Sequence, residues 1–260
     1  MKQLILAVWM CGISAVASAQ EKNEKMEPDR PGETATPVIT APHFFQAELG
    51  FFKENSGDDY TIQHPDFLLK YGLLKKVELR LQGDFITDYK HLIPNPETTS
   101  GLQPVEIGGK LSLLEGKGIV PQTAFIAQVG LPFLSSAAFR TPHLVPSFRA
   151  VLQNKITEKF SLGYNVGAEW DGESTVPSWL YTVAPAVELG EKWNAFVEVY
   201  GFVKKAELPE HSLDAGVAYA LSENTRLDLS GGVGLSEKAP DQFIMLGFSF
   251  RVPVSKKIVH

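Results

Sequence analysis

Ionisable side chains fall on alternate positions along much of this sequence, and that spacing defines the chemistry open to it. In Val77-Glu78-Leu79-Arg80-Leu81-Gln82-Gly83-Asp84-Phe85, an extended backbone puts Glu78, Arg80, Gln82 and Asp84 on one face and the apolar residues and Gly83 on the other. Carried through the chain, the same phase collects nine acids: Glu48, Glu78, Asp84, Glu106, Glu169, Glu188, Glu198, Asp214 and Asp228. It sets them against five bases, Arg80, Lys110, Arg149, Arg226 and Arg251. A face of this kind binds and sorts ions: opposite charges satisfy one another in part, and the excess of carboxylates favours cations where the space is narrow and poorly screened.

Covalent catalysis would need a different constellation. His43, His64, His91, His143, His211 and His260 fall at strand ends, in loops or at the C-terminus, where polar residues are the rule. HExxH, P-loop and GxGxxG patterns are absent, and Gly231-Gly232-Val233-Gly234 lies inside an alternating strand, where glycines serve curvature or close packing. A lipase-type barrel would carry Ser, His and an Asn or acid together on its lipid face, and no such set is visible. No enzyme activity, cofactor or metal is expected.

The elements that would carry the charged face are strands. Twelve segments of period-two alternation lie near 43–53, 64–73, 76–89, 103–114, 121–132, 144–155, 159–170, 178–189, 193–204, 211–221, 225–235 and 241–252. The second, fifth and sixth alternate least clearly. Connections alternate in kind. Leu74-Lys75-Lys76, Glu115-Gly116-Lys117-Gly118, Thr157-Glu158-Lys159, Gly190-Glu191-Lys192 and Ser222-Glu223-Asn224 are tight, whereas Lys90 to Leu102, Leu134 to His143 and Asp171 to Pro177 are longer. Short turns at one rim and long loops at the other mark an up-and-down transmembrane β-barrel, with the short turns periplasmic and the loops extracellular. Aromatic residues gather towards two levels: Phe45, Phe160, Trp193 and Phe250 near the short turns, and Trp170, Trp179, Tyr181 and Phe243 near the loops, as interfacial girdles would require.

The ends fit export to that membrane. Lys2, the apolar run Leu4 to Val16 and Ala17-Ser18-Ala19 form a signal peptide over residues 1–19, cut before Gln20. It contains the single cysteine, Cys11, so the mature chain has no thiol. Residues 20–42 are a leader whose Pro28, Pro31, Pro37 and Pro42 hold it extended. Either Asp29 and Arg30 enter the barrel mouth and plug it, or the segment is a periplasmic tether. Residues 43–252 make the barrel and 253–260 a short basic tail, following a last strand that places Phe248 and Phe250 in phase. A formal charge of −6 with no basic run beyond a Lys-Lys pair excludes nucleic acid as a partner. The expected partners are outer-membrane lipid, the barrel assembly machinery and a small solute.

Pro28-Asp29-Arg30-Pro31-Gly32-Glu33-Thr34-Ala35-Thr36-Pro37, followed by Gln46-Ala47-Glu48-Leu49-Gly50-Phe51, resembles the opening of the outer-membrane "putative MetA-pathway of phenol degradation" transporters. Their leader carries an Asp-Arg-Pro motif and their first strand a Gln-x-Glu-x-Gly pattern. The glycine of that pattern expected shortly before Gln46 is replaced here, where His43 and Phe44 stand. The resemblance implies an outer-membrane channel or transporter of a Gram-negative bacterium, for small solutes that include hydrophobic or aromatic ones. A closed structural or adhesion barrel, and behind it an outer-leaflet lipid enzyme, are the alternatives.

Overall fold

The computed structural model describes residues 26–254. The expected signal peptide, the first residues of the expected leader and the end of the tail lie outside the described residues. The chain forms β1 (Phe44–Ser56), β2 (Asp59–Leu74), β3 (Val77–Lys90), β4 (Glu97–Leu102), β5 (Val105–Lys117), β6 (Val120–Leu131), β7 (Val145–Lys155), β8 (Phe160–Glu169), β9 (Ser178–Glu188), β10 (Trp193–Lys204), β11 (Glu210–Ser222), β12 (Thr225–Gly234) and β13 (Gln242–Pro253). Neighbours pair antiparallel around the sheet, and β1 joins β13 to close it. β4 and β5 both pair with β3, at its two ends, so they form one stave interrupted at Gln103-Pro104 and the closed barrel has twelve staves. Proline has no N–H to give a ladder, which accounts for the break.

Two expected connections are shorter than the sequence implies. β1 and β2 continue as a hairpin to a tight turn at Gly57-Asp58, and the segment expected as a loop from Lys90 to Leu102 contains β4, leaving only residues 91–96 outside the sheet. Paired β-branched and aromatic side chains carry both hairpins above the rim; Tyr60 and Tyr89, for example, stack with centroids 4.7 Å apart.

The distribution of side chains is inverted relative to a water-soluble protein. Glu48, Glu78 and Glu198 are wholly buried, whereas Leu79, Ile107, Val166, Val197, Leu229 and Leu246 on the strands' outer face are each about half exposed. Such a surface is stable only in hydrocarbon, and the reverse phase would cost roughly 2–4 kcal/mol for each Arg or Lys near the bilayer midplane. Among the described residues no helix is long and apolar enough to cross a membrane. The crossing is made by strands, whose backbone polar groups pair along the ladders with their neighbours, with register shifts at a few bulges.

Trp193 and Phe160 at the short-turn end, and Trp179 at the loop end, face outward as girdle residues would. Phe243 does not. It turns into the lumen, where its ring packs against Phe52 at 5.9 Å and Tyr200 at 6.3 Å. Gly232 on β12 makes this possible, because a Cβ there would overlap the Phe243 ring. One of the glycines in the Gly231-Gly232-Val233-Gly234 run therefore serves close packing.

Candidate functional site

The leader occupies the lumen. Its described part runs from the short-turn rim, where Met26 N–H donates to the Glu223 carbonyl, and returns to that rim, where Pro42 bridges to Gly72 and His43 N–H donates to the Gly72 carbonyl at 2.8 Å. The excursion is thus a loop inserted from one end. His43 takes the left-handed conformation, φ 63°, which glycine adopts without steric cost. The backbone keeps the glycine-like shape although the glycine of the pattern is absent.

Asp29 is the hub of the inserted loop. Its carboxylate lies 2.7 Å from Arg80 Nη1 and 3.1 Å from both Lys70 Nζ and Lys110 Nζ, on β3, β2 and β5. It also accepts the Thr36 N–H at 2.9 Å, which folds the loop back on itself. Burial alone would raise the pKa of this carboxyl, but Lys110, Lys70 and Arg80 more than offset that and hold it well below the usual carboxylate range. The wall carboxylates complete the network. Glu48 accepts the N–H groups of Asp29 and Arg30 at 3.0 and 3.3 Å, and pairs with Lys70 at 2.5 Å. Glu78 accepts the Thr40 N–H at 2.8 Å and pairs with Arg80 at 3.0 Å. Lys110 donates to the Thr36 and Val38 carbonyls. Main-chain polar groups without partners in their own segment are thereby satisfied by the wall, as buried backbone requires.

Arg30 points the other way around the barrel. Its Nη1 lies 2.6 Å from Asp66 Oδ2 on β2, Nη2 reaches the Leu246 carbonyl on β13, and Nε lies 3.6 Å from Asp228 on β12. Gly50 and Gly247 leave the space it fills, since a Cβ at either would overlap the guanidinium. The Gln-x-Glu-x-Gly pattern of β1 acquires a physical meaning here. Gln46 orients Glu48 at 2.8 Å, Glu48 holds the leader backbone, and Gly50 admits Arg30.

The tip of the loop reaches the opposite wall. Arg149 donates to the Glu33 carbonyl and carboxylate, both at 2.7 Å. Glu198 accepts the Glu33 N–H and the Thr34 hydroxyl. The Asn165 amide pairs with both backbone polar groups of Ala35, at 2.8 and 3.2 Å. Ala35 itself packs on Ala124, Ile126 and Val151 of β6 and β7.

The inserted loop partitions the lumen. A cavity of about 590 Å³ lies on the long-loop side and one of about 450 Å³ on the short-turn side, and Asp29, Arg30, Pro31, Gly32 and Ala35 line both. Of the charges expected on this face, Asp84, Glu106, Glu169 and Arg149 line the outer chamber, Glu188 and Arg226 the inner one, and Glu48, Glu78, Arg80, Lys110 and Glu198 hold the leader. Asp214 sits buried opposite Glu198 on the paired strand, and Asp228 beside Arg30. Arg251 hydrogen-bonds Asn224 and lies over the Phe44 ring at 4.9 Å, close to the short-turn rim. Sequence reasoning missed Glu54, Asp66, Lys70 and Glu210. The outer chamber is lined by nine carboxylates against Arg30, Arg80 and Arg149, whereas the inner has six of each sign, so the anionic character is concentrated at the outer end. Among the described residues no three His, Cys, Asp or Glu side chains are placed to hold a metal ion. The His64 ring lies 2.9 Å from the Thr87 hydroxyl and the His211 ring 2.9 Å from the Tyr181 hydroxyl.

Comparison with solved structures shows the fold to be that of outer-membrane barrels. The chain is similar to an outer membrane channel from Pseudomonas putida F1, with a TM-score of 0.66 at 10% identity, over 86% of this chain and 99% of that one. It is similar to the NanC porin at TM-score 0.54 and 7% identity, covering 80% and 100% of the two chains. For the KdgM porin the values are 0.51, 8%, 78% and 98%. Comparison with curated proteins returns no match. Residues 28–252 match the family described as "Putative MetA-pathway of phenol degradation", a span that starts at the Asp-Arg-Pro leader and ends in β13, and the chain belongs to that family.

Proposed function

We propose that this protein is an outer-membrane channel for small solutes in a Gram-negative cell, and that its own leader forms the constriction. The observation that carries this reading is the partition. Two ligand-sized chambers share one floor, and that floor is a peptide loop held by polar contacts rather than by the sheet itself. A barrel serving only as a structural wall has no need of chambers open to both rims, and an outer-leaflet enzyme would place its reactive groups on the lipid face, where the charged residues here do not lie. The similarity in fold to porins and to an outer membrane channel supports the same reading. The family description points to aromatic solutes as candidates. Export through a signal peptide over residues 1–19 belongs to this proposal.

The test is liposome swelling with uncharged solutes of graded size, comparing the intact chain with one lacking residues 20–42. Slow entry of the smallest solutes through the intact protein, and faster entry with a higher size limit through the shortened one, is expected. If neither protein admits any solute, the barrel is a closed structural element.

A further inference from the structure

The outer chamber has an aromatic wall that transport of simple polar solutes would not require. Phe52 on β1 and Tyr200 and Phe202 on β10 face into it. Tyr200 contacts Phe202 edge-on at 6.2 Å, and buried Phe243 braces Phe52 at 5.9 Å and Tyr200 at 6.3 Å. The rings are joined across the small lumen-facing residues Ser212 and Gly232 of β11 and β12. A carboxylate closes each end of this wall through strand register: Glu54 is the cross-strand partner of Phe243, and Glu210 that of Phe202. Neither carboxylate has an ion pair within 4 Å or a hydrogen bond among the described residues, in contrast to Asp66 and Glu33, whose charges the leader contacts consume. Lys238 acts on Glu210 only from beyond ion-pair distance and is itself paired with Glu207.

Ring faces carry negative potential, so a wall of rings bounded by two unpaired carboxylates is complementary to a cation with an apolar surface. It offers little to an inorganic ion, whose hydration the rings cannot replace, and it repels anions. The chamber volume of about 590 Å³ falls within the ordinary range for small-molecule sites. We propose that the outer chamber binds organic cations, quaternary or protonated amines with an apolar body, with the charged nitrogen between Glu54 and Glu210 and over the rings of Tyr200 and Phe202. The site lies on the entry side of the constriction, so it would concentrate such solutes above the leader. This inference rests on the channel reading only for its consequence in transport; the binding itself does not.

The experiment is equilibrium binding of choline and benzyltrimethylammonium to the detergent-solubilised intact protein, with 3,3-dimethyl-1-butanol as the uncharged counterpart of choline. Both cations should bind and the alcohol should not. The double variant Glu54→Gln/Glu210→Gln and the single variant Tyr200→Leu should each weaken binding roughly tenfold, the loss expected for removing desolvated cation–π or carboxylate contacts. Retained heat-modifiable migration of each variant shows that its barrel is folded. Equal binding of alcohol and choline, or cation binding unchanged in the folded variants, overturns the proposal. Swelling by an uncharged solute, measured on the same preparations, separates the two readings: flux without cation binding refutes this inference alone, and cation binding without flux refutes only the channel.

Discussion

The Arg30 guanidinium meets Asp66 through a single nitrogen, Nη1, which lies 2.8 Å from one carboxylate oxygen and 2.6 Å from the other. Because the same side chain also reaches the Leu246 carbonyl and approaches Asp228, one leader residue ties β2, β13 and β12 together across β1. Replacing Arg30 by Ala removes charged hydrogen bonds worth about 1.5–3 kcal/mol each and leaves Asp66 and the buried Asp228 without the cation they share. The R30A chain should admit uncharged solutes faster than the intact one. Gly50→Val should do the same by filling the guanidinium's space, while the barrel remains folded, because the clash is with the leader and with Asp66 rather than with the sheet backbone.

Asp29 gives the leader a pH dependence whose sign is fixed. Its docked pKa lies well below the ordinary 3.8, with burial raising it and Lys110, Lys70 and Arg80 lowering it further. A group whose pKa is depressed in the docked state contributes fully above its undocked value and loses that contribution as pH falls through the docked one. A spin label on the leader at residue 38, in a Val38→Cys chain, where the docking contact to Lys110 is made by the backbone carbonyl, should therefore keep the same restricted mobility from pH 8 down to about pH 4.5 and loosen only in stronger acid. Asp29→Asn should be mobile already at pH 7, since three cations then share a site without their common partner, a loss on the order of 3–5 kcal/mol. Mobility that changes between pH 8 and 6 would assign control to another group.

The inside-out pattern, the strand count and the charged lumen face were legible in the sequence because period-two alternation translates directly into faces. The strands that alternated least clearly did so for physical reasons that only the assembled barrel reveals. In β2 the register shifts between Gln63 and Asp66, around His64-Pro65, so the lumen phase changes midway and hides Asp66 and Lys70. In β6 and β7 the lumen positions Ala124, Ile126 and Val151 are apolar because they receive Ala35 of the leader. Glu54 and Glu210 lay beyond the strand ends that alternation alone marks, and Phe243 turns inward only because Gly232 on the neighbouring strand gives way. A contact between a leader and a wall more than one hundred residues away leaves no local signal.

Topology can be checked on intact cells, because the only cysteine, Cys11, precedes the mature chain expected after export. Cysteines placed at Asn95, Ala138 and Ser174, in the connections that remain irregular at the long-loop rim, should react with a membrane-impermeant maleimide. Those at Lys192 and Asn224, in short turns, should react only after the outer membrane is opened. Surface labelling at Lys192 or Asn224 would invert the orientation.

Ion selectivity follows from how the lumen charges are divided. Lys70, Arg80 and Lys110 are bound up with Asp29, Glu48 and Glu78 in the floor, so they neutralise one another there and contribute little to the field at the entrance. Among the described residues Asp84, Glu54, Glu169 and Glu210 have no ion pair within 4 Å, and Arg149, the base nearest the tip, is spent on Glu33. An entrance of this composition raises the local concentration of cations and depletes anions, most strongly at low ionic strength where the screening length is long. Across a planar bilayer with a KCl gradient, the reversal potential should have the sign of cation preference, and its size should shrink as salt rises. Asp84→Gln, Glu106→Gln and Glu169→Gln together should reduce it while leaving the barrel folded, since lumen substitutions tune selectivity more than stability. Glu78→Gln should behave differently: it weakens the grip on Thr40 and Arg80 and so should raise total conductance. Anion preference in the intact protein would mean that Arg30, Arg80 and Arg149 at the floor govern passage, and that the carboxylates above them do not.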